Sequence, residues 1–369
     1  MASFGYNAGV LSTPNEMIFS FQEADDKPQR FHMLTSIRTG LDLDKLSRVG
    51  DLVHDVINER MPLENAFDRL KEISKTPVPW GKKASALSYA LIGAGFAGML
   101  MGSWSDIALA VPLSMIVYIM VEFSGRFTKS GSDWLPLITA FAAGLLASLV
   151  WIMVPGLNIV VVVIAAVAVL IPGYTISLGV TEFVGGHVIT GNINMVNGLI
   201  YLLKQVVGGW IGVTLVTSFI KITSLPGIAP DIIWQWFFVP LLAIGLCLNF
   251  QTSRRDFLWA LLACIIAYLG SFYGSKFFSP NFGTLLGTVI LVIYSNTWST
   301  KTGHPTSIVL VPGIVMLVSG SLGFRGLASI ATGQIQQGEM QLQQMIYVAI
   351  LIAAGLVVGN TLSRPKVTL

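Results

Sequence analysis

Two ionisable side chains, Glu182 and His187, lie in a glycine-rich segment that directly follows a long apolar stretch. Histidine exchanges protons near neutral pH and burial raises the pKa of a carboxyl group, so the two residues could take up and release a coupling proton. Ionisable groups at membrane depth are costly and usually mark ion or substrate pathways. We therefore predict a proton-coupling site here. The alternative is a solvated loop in which Thr181 and Glu182 cap a helix.

Two cationic side chains could bind a carboxylate. Lys204 lies in the middle of an apolar stretch, where a lysine needs a cavity or a carboxylate such as Glu182. Arg325 could hold a substrate carboxylate through two parallel hydrogen bonds. Alternatively, both side chains lie at membrane interfaces, Lys204 by snorkelling and Arg325 as an anchor on the outer side. Three asparagines could bond a carboxylate or hydroxyl, or serve capping and turn roles. They are Asn192, Asn194 and Asn197.

A pentapeptide recurs upstream of these residues. Val-Leu-Ile-Pro-Gly at 169–173 returns as Val-Leu-Val-Pro-Gly at 309–313, each time inside a long apolar stretch. A Pro-Gly pair breaks the helical ladder, and free backbone in hydrocarbon is tolerated only where protein buries it or it lines a wet cavity. Broken spans at matching places in two halves mark a transport site. We therefore predict that Pro172-Gly173 and Pro312-Gly313 break two spans of a duplicated transporter.

The composition is that of a membrane protein. Hydrophobic residues make up 53% of the 369 residues and charged residues 11%, and the mean hydropathy is +0.72. The net charge of +3 is scattered, with no basic run that would indicate nucleic acid as a partner. Cys247 and Cys264 fall inside apolar stretches and are interpreted as packing residues. No metal or other cofactor is predicted.

The first 83 residues differ from the rest, because they are rich in charges of both signs. Glu16–Phe21 and Arg30–Ile37 are predicted to form a hairpin around a turn at 24–28. Two amphipathic helices follow, one from Leu43 to Val56 and one that starts at Pro62. No basic segment followed by an apolar one begins the chain, so no secretory signal is predicted. We expect a small cytosolic α+β domain at 1–83.

About ten later stretches could span a bilayer, at roughly 20 residues for each helix. An odd number of five in each half would make the second half enter the membrane in the opposite sense, so two inverted five-helix repeats are predicted at 84–223 and 224–369. The predicted spans are Ala86–Gly102, Ile107–Phe123, Trp134–Val154, Leu157–Val180, Met195–Ile220, Trp234–Phe250, Asp256–Gly274, Phe282–Thr297, Ser307–Phe324 and Met345–Leu362.

The loop charges predict the orientation. Lysine and arginine accumulate on the cytoplasmic side, and this bias favours an even number of spans with both termini inside a cytoplasmic (inner) membrane. The segments assigned to the inside contain Lys82, Lys83, Arg126, Lys129, Arg254, Arg255, Lys301, Arg364 and Lys366. Those assigned to the outside contain Lys221, Lys276 and Arg325.

Several motifs resemble one known family along nearly the whole chain. They are Thr13-Pro14, Ser20-Phe21, Arg38, Asp42–Leu46 and Trp80-Gly81 in the first part, Leu170, Pro172, Gly173, Thr181, Glu182, His187 and Gly191 in the first predicted repeat, and Pro312-Gly313 with Gly320–Arg325 in the second. This pattern resembles the threonine/serine exporter family, including its two-component relatives implicated in succinate export. The last of these motifs is the most specific.

The resemblance implies a proton-coupled exporter of a small hydrophilic metabolite such as threonine or serine, with the bilayer and protons as further partners. A dicarboxylate exporter is a close variant, for which Lys204 and Arg325 would be the charge partners. A passive channel and a membrane-anchored hydrolase are the other classes, and no Gly-x-Ser-x-Gly motif supports the hydrolase. The oligomeric state is left open between a monomer and a homo-oligomer.

Overall fold

The structure is a computed structural model, and helices dominate it. It describes residues 7–12, 16–22, 30–35, 41–58, 60–124, 133–220, 227–318 and 320–364.

The first described elements form a three-stranded antiparallel sheet in the order β1-β2-β3. Its strands are β1 (Asn7–Ser12), β2 (Glu16–Gln22) and β3 (Arg30–Thr35). The predicted hairpin is present as β2 and β3, which pair with Phe19 opposite His32. The predicted turn at 24–28 lies outside the described residues. Strand β1 was not predicted, because its asparagine, alanine and glycine favour strands poorly and pairing with β2 supplies what local propensity does not.

Helices α1 (Leu43–Ile57) and α2 (Leu63–Lys75) confirm the predicted helix pair. Asp42 caps α1, because its carboxylate accepts a hydrogen bond of 3.0 Å from the main-chain nitrogen of Lys45. The N-terminus of α1 is also hydrogen-bonded to a distant segment of the chain, residues 250–251. The main-chain nitrogens of Leu43 and Asp44 each donate a 3.0 Å hydrogen bond to the carbonyls of Phe250 and Gln251. This end of α1 is therefore docked on the helix that ends at residue 249.

Twelve α-helices follow in the described part of the chain. They are α3 (Gly81–Met99), α4 (Trp104–Ser124), α5 (Leu135–Met153), α6 (Ile159–Ala166), α7 (Gly173–Val184), α8 (Val188–Thr217), α9 (Gln235–Asn249), α10 (Phe257–Phe277), α11 (Pro280–Thr302), α12 (Ser307–Leu317), α13 (Gly320–Ala331) and α14 (Ile335–Leu362). A polytopic helical membrane protein is thereby confirmed.

In the described part of the chain, seven helical segments are long and apolar enough to cross a membrane, or eight if α6 and α7 are counted as one bent span. Helices α3 and α11 are as long but are less apolar, so they are not among these segments. Their polar side chains are buried against other helices, as Ser88, Ser295 and Asn296 show. The count of ten spans stays a prediction.

The two Pro-Gly pairs differ in their effect on the helix. At Pro172-Gly173 the predicted break is present, because Ile171 is extended and a new helix, α7, begins at Gly173. The segments 159–166 and 168–184, which meet at position 167, are bent by 60°. At Pro312-Gly313 it is wrong, because both residues lie inside α12 and the break comes after Leu317. A proline removes one ladder hydrogen bond, which a helix packed inside a protein can survive. Both residues are buried, and Gly313 packs against Leu291 of α11.

Close helix contacts recur at a fixed distance along the chain. Gly208 and Gly212 let α8 approach the backbone of α5, where a Cβ would lie 2.1 Å and 2.3 Å from carbonyl oxygens. Gly355 and Gly359 follow them by 147 positions and let α14 approach α11, where a Cβ would lie 2.6 Å from side chains. Two helix pairs therefore approach each other closely through glycines that are spaced 147 positions apart.

A turn also recurs, at opposite ends of the antiparallel pair α3 and α9. After α3, Asp106 accepts a 2.7 Å hydrogen bond from the main-chain nitrogen of Ser103. After α9, Asp256 accepts a 2.7 Å hydrogen bond from the hydroxyl of Ser253. The main-chain nitrogen of each aspartate also donates a hydrogen bond to the hydroxyl oxygen of its serine. These turns begin at Met101 and Gln251, which have left-handed φ values of 57° and 52°.

Candidate functional site

The two helix breaks meet in the middle of the bundle. Ile171 and Val318 are extended, with ψ values of 123° and 124°. Shortly after each, a glycine begins a new helix, Gly173 for α7 and Gly320 for α13. A Cβ on Gly173 would lie 3.1 Å from the Cα of Gly320, and one on Gly320 would lie 3.2 Å from the Cα of Gly173. Only glycine allows the two backbones to cross this closely.

A cavity of about 660 Å³ lies beside this crossing. The irregular backbone at 168–173, a 3-10 turn over Ala168–Leu170 followed by the extended Ile171, forms one wall. Irregular main chain in a membrane protein is tolerated where it lines such a cavity. Several polar side chains complete the lining. They are Asp133, Tyr174, Thr175, Asn194, Asn197, Tyr201, Lys204, Asn249 and Ser321. Asn249 and the neighbouring Phe250 place this cavity toward the end of the bundle where α1 is docked.

Lys204 is the cation of this cavity. Its side chain is half-buried, and the Nζ atom donates a 2.9 Å hydrogen bond to the carbonyl of Asp133. The same atom lies 5.6 Å from the ring centroid of Trp134, within cation–π range. Among the described residues, Lys204 is therefore bonded to the main chain of Asp133, which also lines the cavity, whereas the carboxylate of Glu182 is bonded to Asn194. An ammonium group held by one carbonyl keeps further donors for a ligand.

Glu182 is connected to this cavity through Asn194. The amide nitrogen of Asn194 donates a 2.7 Å hydrogen bond to Oε2 of Glu182. Asn194 is buried and lines the cavity, whereas Glu182 is half-buried behind it. In the described part of the chain, Asn194 thus links the Glu182 carboxylate to the cavity by a hydrogen bond. A change in the charge of Glu182 would act directly on the orientation of the Asn194 amide.

The other predicted residues of the first half lie around the α7–α8 turn. His187 is exposed, and its main-chain nitrogen donates a 2.8 Å hydrogen bond to the carbonyl of Glu182. The hydroxyl of Thr181 donates back to the carbonyl of Ser177 within α7. Gly191 is a packing position, because a Cβ there would lie 2.7 Å from the carbonyl of Gly179. None of these three lines the 660 Å³ cavity.

Arg325 and the second Pro-Gly pair lie away from the first cavity. Arg325 lines a separate cavity of about 460 Å³, together with Asp106 and Asn158. This cavity lies at the other end of the α3–α9 pair, since it includes the turn that follows α3. Pro312 and Gly313 line neither cavity. A small diacid therefore cannot contact Lys204 and Arg325 together in this conformation.

Gln205, next to Lys204, has unusual surroundings. Its side chain is fully buried, and neither its amide nitrogen nor its amide oxygen has a hydrogen-bond partner among the described residues. An amide buried without a partner costs free energy, typically about 1 to 3 kcal/mol in proteins. Such a group within a long membrane helix is either a cost that the fold tolerates or a contact made in another conformation.

A polar cluster connects α1 to the second half of the bundle. His304 Nδ1 lies 3.2 Å from Asp256 Oδ1, and the Ser47 hydroxyl donates a 2.9 Å hydrogen bond to Asp256 Oδ2. His304 Nε2 lies 3.1 Å from Asp51 Oδ1, close enough for an ion pair but without the angle of a hydrogen bond. His304 and Asp256 are almost fully buried, so the partners of each determine whether its charge is tolerated.

The partners of Asp256 shift the acidity of its carboxyl group. Burial by itself raises the pKa, but hydrogen bonds from His304, Ser253 and Ser47 and the charge of His304 together hold the pKa of Asp256 below its ordinary value of 3.8. Asp256 therefore keeps its negative charge at the junction between α1 and the membrane helices. Asp106 is the counterpart in the first half, where its Oδ1 accepts from the main-chain nitrogen of Asn158 at 2.7 Å.

Sequence reasoning missed this cluster and part of the cavity lining. A signal for the cluster exists, because Ser-x-x-Asp occurs at Ser103–Asp106 and again at Ser253–Asp256. Tyr174 and Thr175 follow the first Pro-Gly pair directly and could have been included on that ground. Nothing in the sequence indicates that His304 faces Asp256, since only the fold brings them together. Among the described residues, no group of three or more His, Cys, Asp or Glu is placed to hold a metal ion.

Comparison with known proteins supports a single family. Two family models match the chain, one described as a threonine/serine exporter over residues 1–216 and one as Threonine/Serine exporter over residues 235–362. The threonine/serine exporter of Corynebacterium glutamicum is 24% identical over 352 residues, which covers 90% of this chain and 70% of that protein. No solved structure matches the chain.

Fungal proteins are similar at the same level. An uncharacterised protein of Schizosaccharomyces pombe is 24% identical over 337 residues, covering 86% of this chain. The pheromone-regulated membrane protein 10 of Candida albicans is 24% identical over 298 residues, covering 78%. This chain spans 43% of the first relative and 27% of the second. Their names indicate no transported substrate.

Proposed function

Because this chain belongs to the threonine/serine exporter family, we propose that it exports a small hydrophilic metabolite, most simply threonine or serine, as a secondary transporter. The observation that carries this proposal is the 660 Å³ cavity beside the helix crossing. Its size suits a small polar solute, and broken helices near the middle of the membrane are where secondary transporters bind substrate.

The chemistry of the cavity suits an amino acid with a hydroxyl group. Lys204 offers an ammonium group for the substrate carboxylate, and the irregular backbone at 168–173 offers carbonyl oxygens for the substrate amino group. Asn197, Thr175 and Ser321 can hydrogen-bond the substrate hydroxyl. A site built to bond a hydroxyl discriminates strongly against analogues that lack it. Threonine and serine should therefore bind better than valine and alanine.

Glu182 is the proposed proton-coupling residue. Its hydrogen bond from Asn194 supports this role, because Asn194 also lines the cavity. Protonation would remove the charge that Asn194 bonds and so weaken the bond. Substrate and proton would then affect each other through one side chain, as coupling between two sites requires. His187 would take part as an exposed proton donor at the α7–α8 turn.

Two inverted repeats at 84–223 and 224–369 would explain the paired features. The helix contacts and turns that recur support this organisation, and so do the two cavities toward opposite ends of the bundle. Rocking of one repeat against the other around the Gly173–Gly320 crossing would expose the site to each side in turn. The cavity at the α1 end is the cytosolic one in this proposal, with both termini inside an inner membrane and residues 1–83 as a cytosolic domain.

Direct binding of the substrate tests this proposal. We expect threonine to bind the purified full chain, and Lys204→Gln to weaken binding about 10- to 100-fold, the range for a lost hydrogen bond to a charged group. Lys276→Gln is the matched control, since Lys276 is exposed in the last turn of α10 and far from the lining. Equal affinities in all three proteins would contradict the assignment of this cavity as the substrate site.

A further inference from the structure

A third cavity, of about 840 Å³, separates the α1–α2 pair from the membrane helices. One wall comes from α1, α2 and the turn between them, and the other from the segments that precede α10 and α12. Its charges do not balance, because five arginines and three aspartates line it. The arginines are Arg48, Arg60, Arg69, Arg254 and Arg255. A concave surface with an excess of one sign concentrates ligands of the opposite sign.

Two of the arginines are used by the fold. Arg48 donates from Nε to Asp44 at 2.8 Å within α1. Arg69 donates to Glu72 at 2.5 Å within α2. Arg60 and Arg255 differ, because among the described residues their nearest carboxylates, those of Asp55 and Asp51, lie 4.0 Å and 3.8 Å away. These distances are too long for hydrogen bonds, so the guanidinium donors of Arg60 and Arg255 remain available for a ligand.

Arg254 has no carboxylate partner among the described residues. Its guanidinium lies over the ring of Trp80, 5.4 Å from the centroid, and donates a weak 3.4 Å hydrogen bond to the carbonyl of Pro79. Trp80 is itself fixed, since its Nε1 donates a 2.7 Å hydrogen bond to the carbonyl of Thr252. Stacking therefore holds Arg254 at the cavity wall and leaves most of its five N–H donors unused.

We propose that this cavity binds a phosphate-bearing anion, with Arg60, Arg254 and Arg255 as its direct contacts. The planar arginine fork matches phosphate and forms two parallel hydrogen bonds with it. The phosphate can come from a soluble phosphorylated metabolite or from the headgroup of an anionic lipid, because the cavity lies at the end of the membrane helices. The two sources share the same chemistry, and the experiment below separates them.

Binding at this place would strengthen the docking of α1 and α2. Arg60 belongs to the turn after α1, whereas Arg254 and Arg255 belong to the segment before α10, so one anion in contact with all three bridges the two walls. The same walls are already joined by the contact of Ser47 with Asp256 and by His304, which precedes α12. The ligand would therefore stabilise the arrangement in which α1 is attached to the segment that leads into the second broken span.

The test uses the purified full chain in detergent and inorganic pyrophosphate as the probe, at constant ionic strength. Isothermal titration should show saturable binding. The double variant Arg254→Gln/Arg255→Gln should weaken it at least about tenfold, the effect of losing one charge-assisted hydrogen bond. Arg254→Lys should lose part of this, because it keeps the charge but not the fork. Arg364→Gln, an exposed change after α14, should bind as the wild type does.

Nanodiscs of neutral lipid and of neutral lipid mixed with phosphatidylglycerol separate the two sources. If lipid headgroups fill the cavity, phosphatidylglycerol raises the melting temperature of the wild type but not of the double variant, and it weakens pyrophosphate binding. If soluble anions fill it, pyrophosphate binds equally in both discs. The proposal is overturned if the wild type shows neither saturable binding nor a lipid effect, or if the double variant responds as the wild type does.

Discussion

Gly173 and Gly320 touch backbone to backbone where the two broken spans cross, so that a Cβ on either one would lie within 3.2 Å of the other's Cα atom. They are separated by 147 positions, as are Gly208 and Gly355 in the paired helix contacts. This equal spacing supports the proposed pair of repeats, with the crossing between them. In our proposal it is the point around which they move.

Gly173→Ala tests the crossing. The added methyl would lie 2.5 Å from Cγ1 of Val318 and 3.1 Å from the Cα of Gly320, so the two helix starts must separate. We expect a loss of stability of about 1–3 kcal/mol, the cost of overpacking, and a strong loss of transport. Thermal unfolding and threonine uptake by proteoliposomes measure the two effects.

Gly185→Ala is the control for this change. Gly185 has an ordinary helical φ of −75°, and its nearest atoms would lie 3.5 Å or more from a Cβ. It should unfold and transport as the wild type does. If both variants behave alike, the close approach of Gly173 and Gly320 has no importance for transport.

Glu182→Gln should uncouple transport from the proton gradient without abolishing exchange. Glutamine cannot titrate near neutral pH, but its carbonyl oxygen can still accept the Asn194 hydrogen bond. We expect threonine counterflow to persist in proteoliposomes, while an imposed pH gradient no longer accelerates transport. Acceleration of the variant to the same degree as the wild type would place the coupling proton elsewhere.

Gln205→Leu should raise stability. The change removes an amide that is fully buried without hydrogen-bond partners, in exchange for an apolar side chain of similar size. We expect a gain of about 1–3 kcal/mol in thermal unfolding. Gln343→Leu, at an exposed position of α14, should change stability little. A loss of stability in Gln205→Leu would mean that the amide is hydrogen-bonded after all.

Asp256→Asn should be less stable than the wild type by an amount that depends on pH. The pKa of Asp256 lies below its ordinary value of 3.8 in the folded protein. Its charge therefore contributes stability that is fully present above pH 3.8 and is lost as the pH falls through the folded pKa. Melting temperatures of both proteins should differ at neutral pH and converge at acid pH below 3.8. A difference that is constant with pH would contradict this.

Much of the helical organisation can be predicted from the sequence. Leu43 to Val56 repeat at helical spacing with Asp42 before them, and α1 begins and ends within one residue of that pattern. The helix break at Pro172-Gly173 also follows from local chemistry, because the pair interrupts an otherwise continuous apolar stretch. Such features depend on residues that are close in the sequence, so they can be predicted without the tertiary structure.

The repeated pentapeptide shows where this reasoning fails. It places Gly313 as the partner of Gly173, 140 positions later, whereas the helix that follows the second break begins at Gly320, 147 positions after Gly173. Pro312 stays inside α12 because neighbouring helices bury it. The repeated pentapeptide thus predicts a second half but does not predict which residues of the two halves correspond. His304 beside Asp256 is likewise a product of tertiary structure, as 48 positions separate them.

Efflux of labelled threonine, loaded into cells as a dipeptide, tests the central claim most directly. Cells that express the wild type should release threonine faster than cells with an empty vector, and an uncoupler should remove the difference. Lys204→Gln should release it no faster than the empty vector, although Lys276→Gln keeps the full rate. Efflux by Lys204→Gln at the wild-type rate, with both proteins confirmed in the membrane, would contradict transport through the cavity beside Gly173 and Gly320.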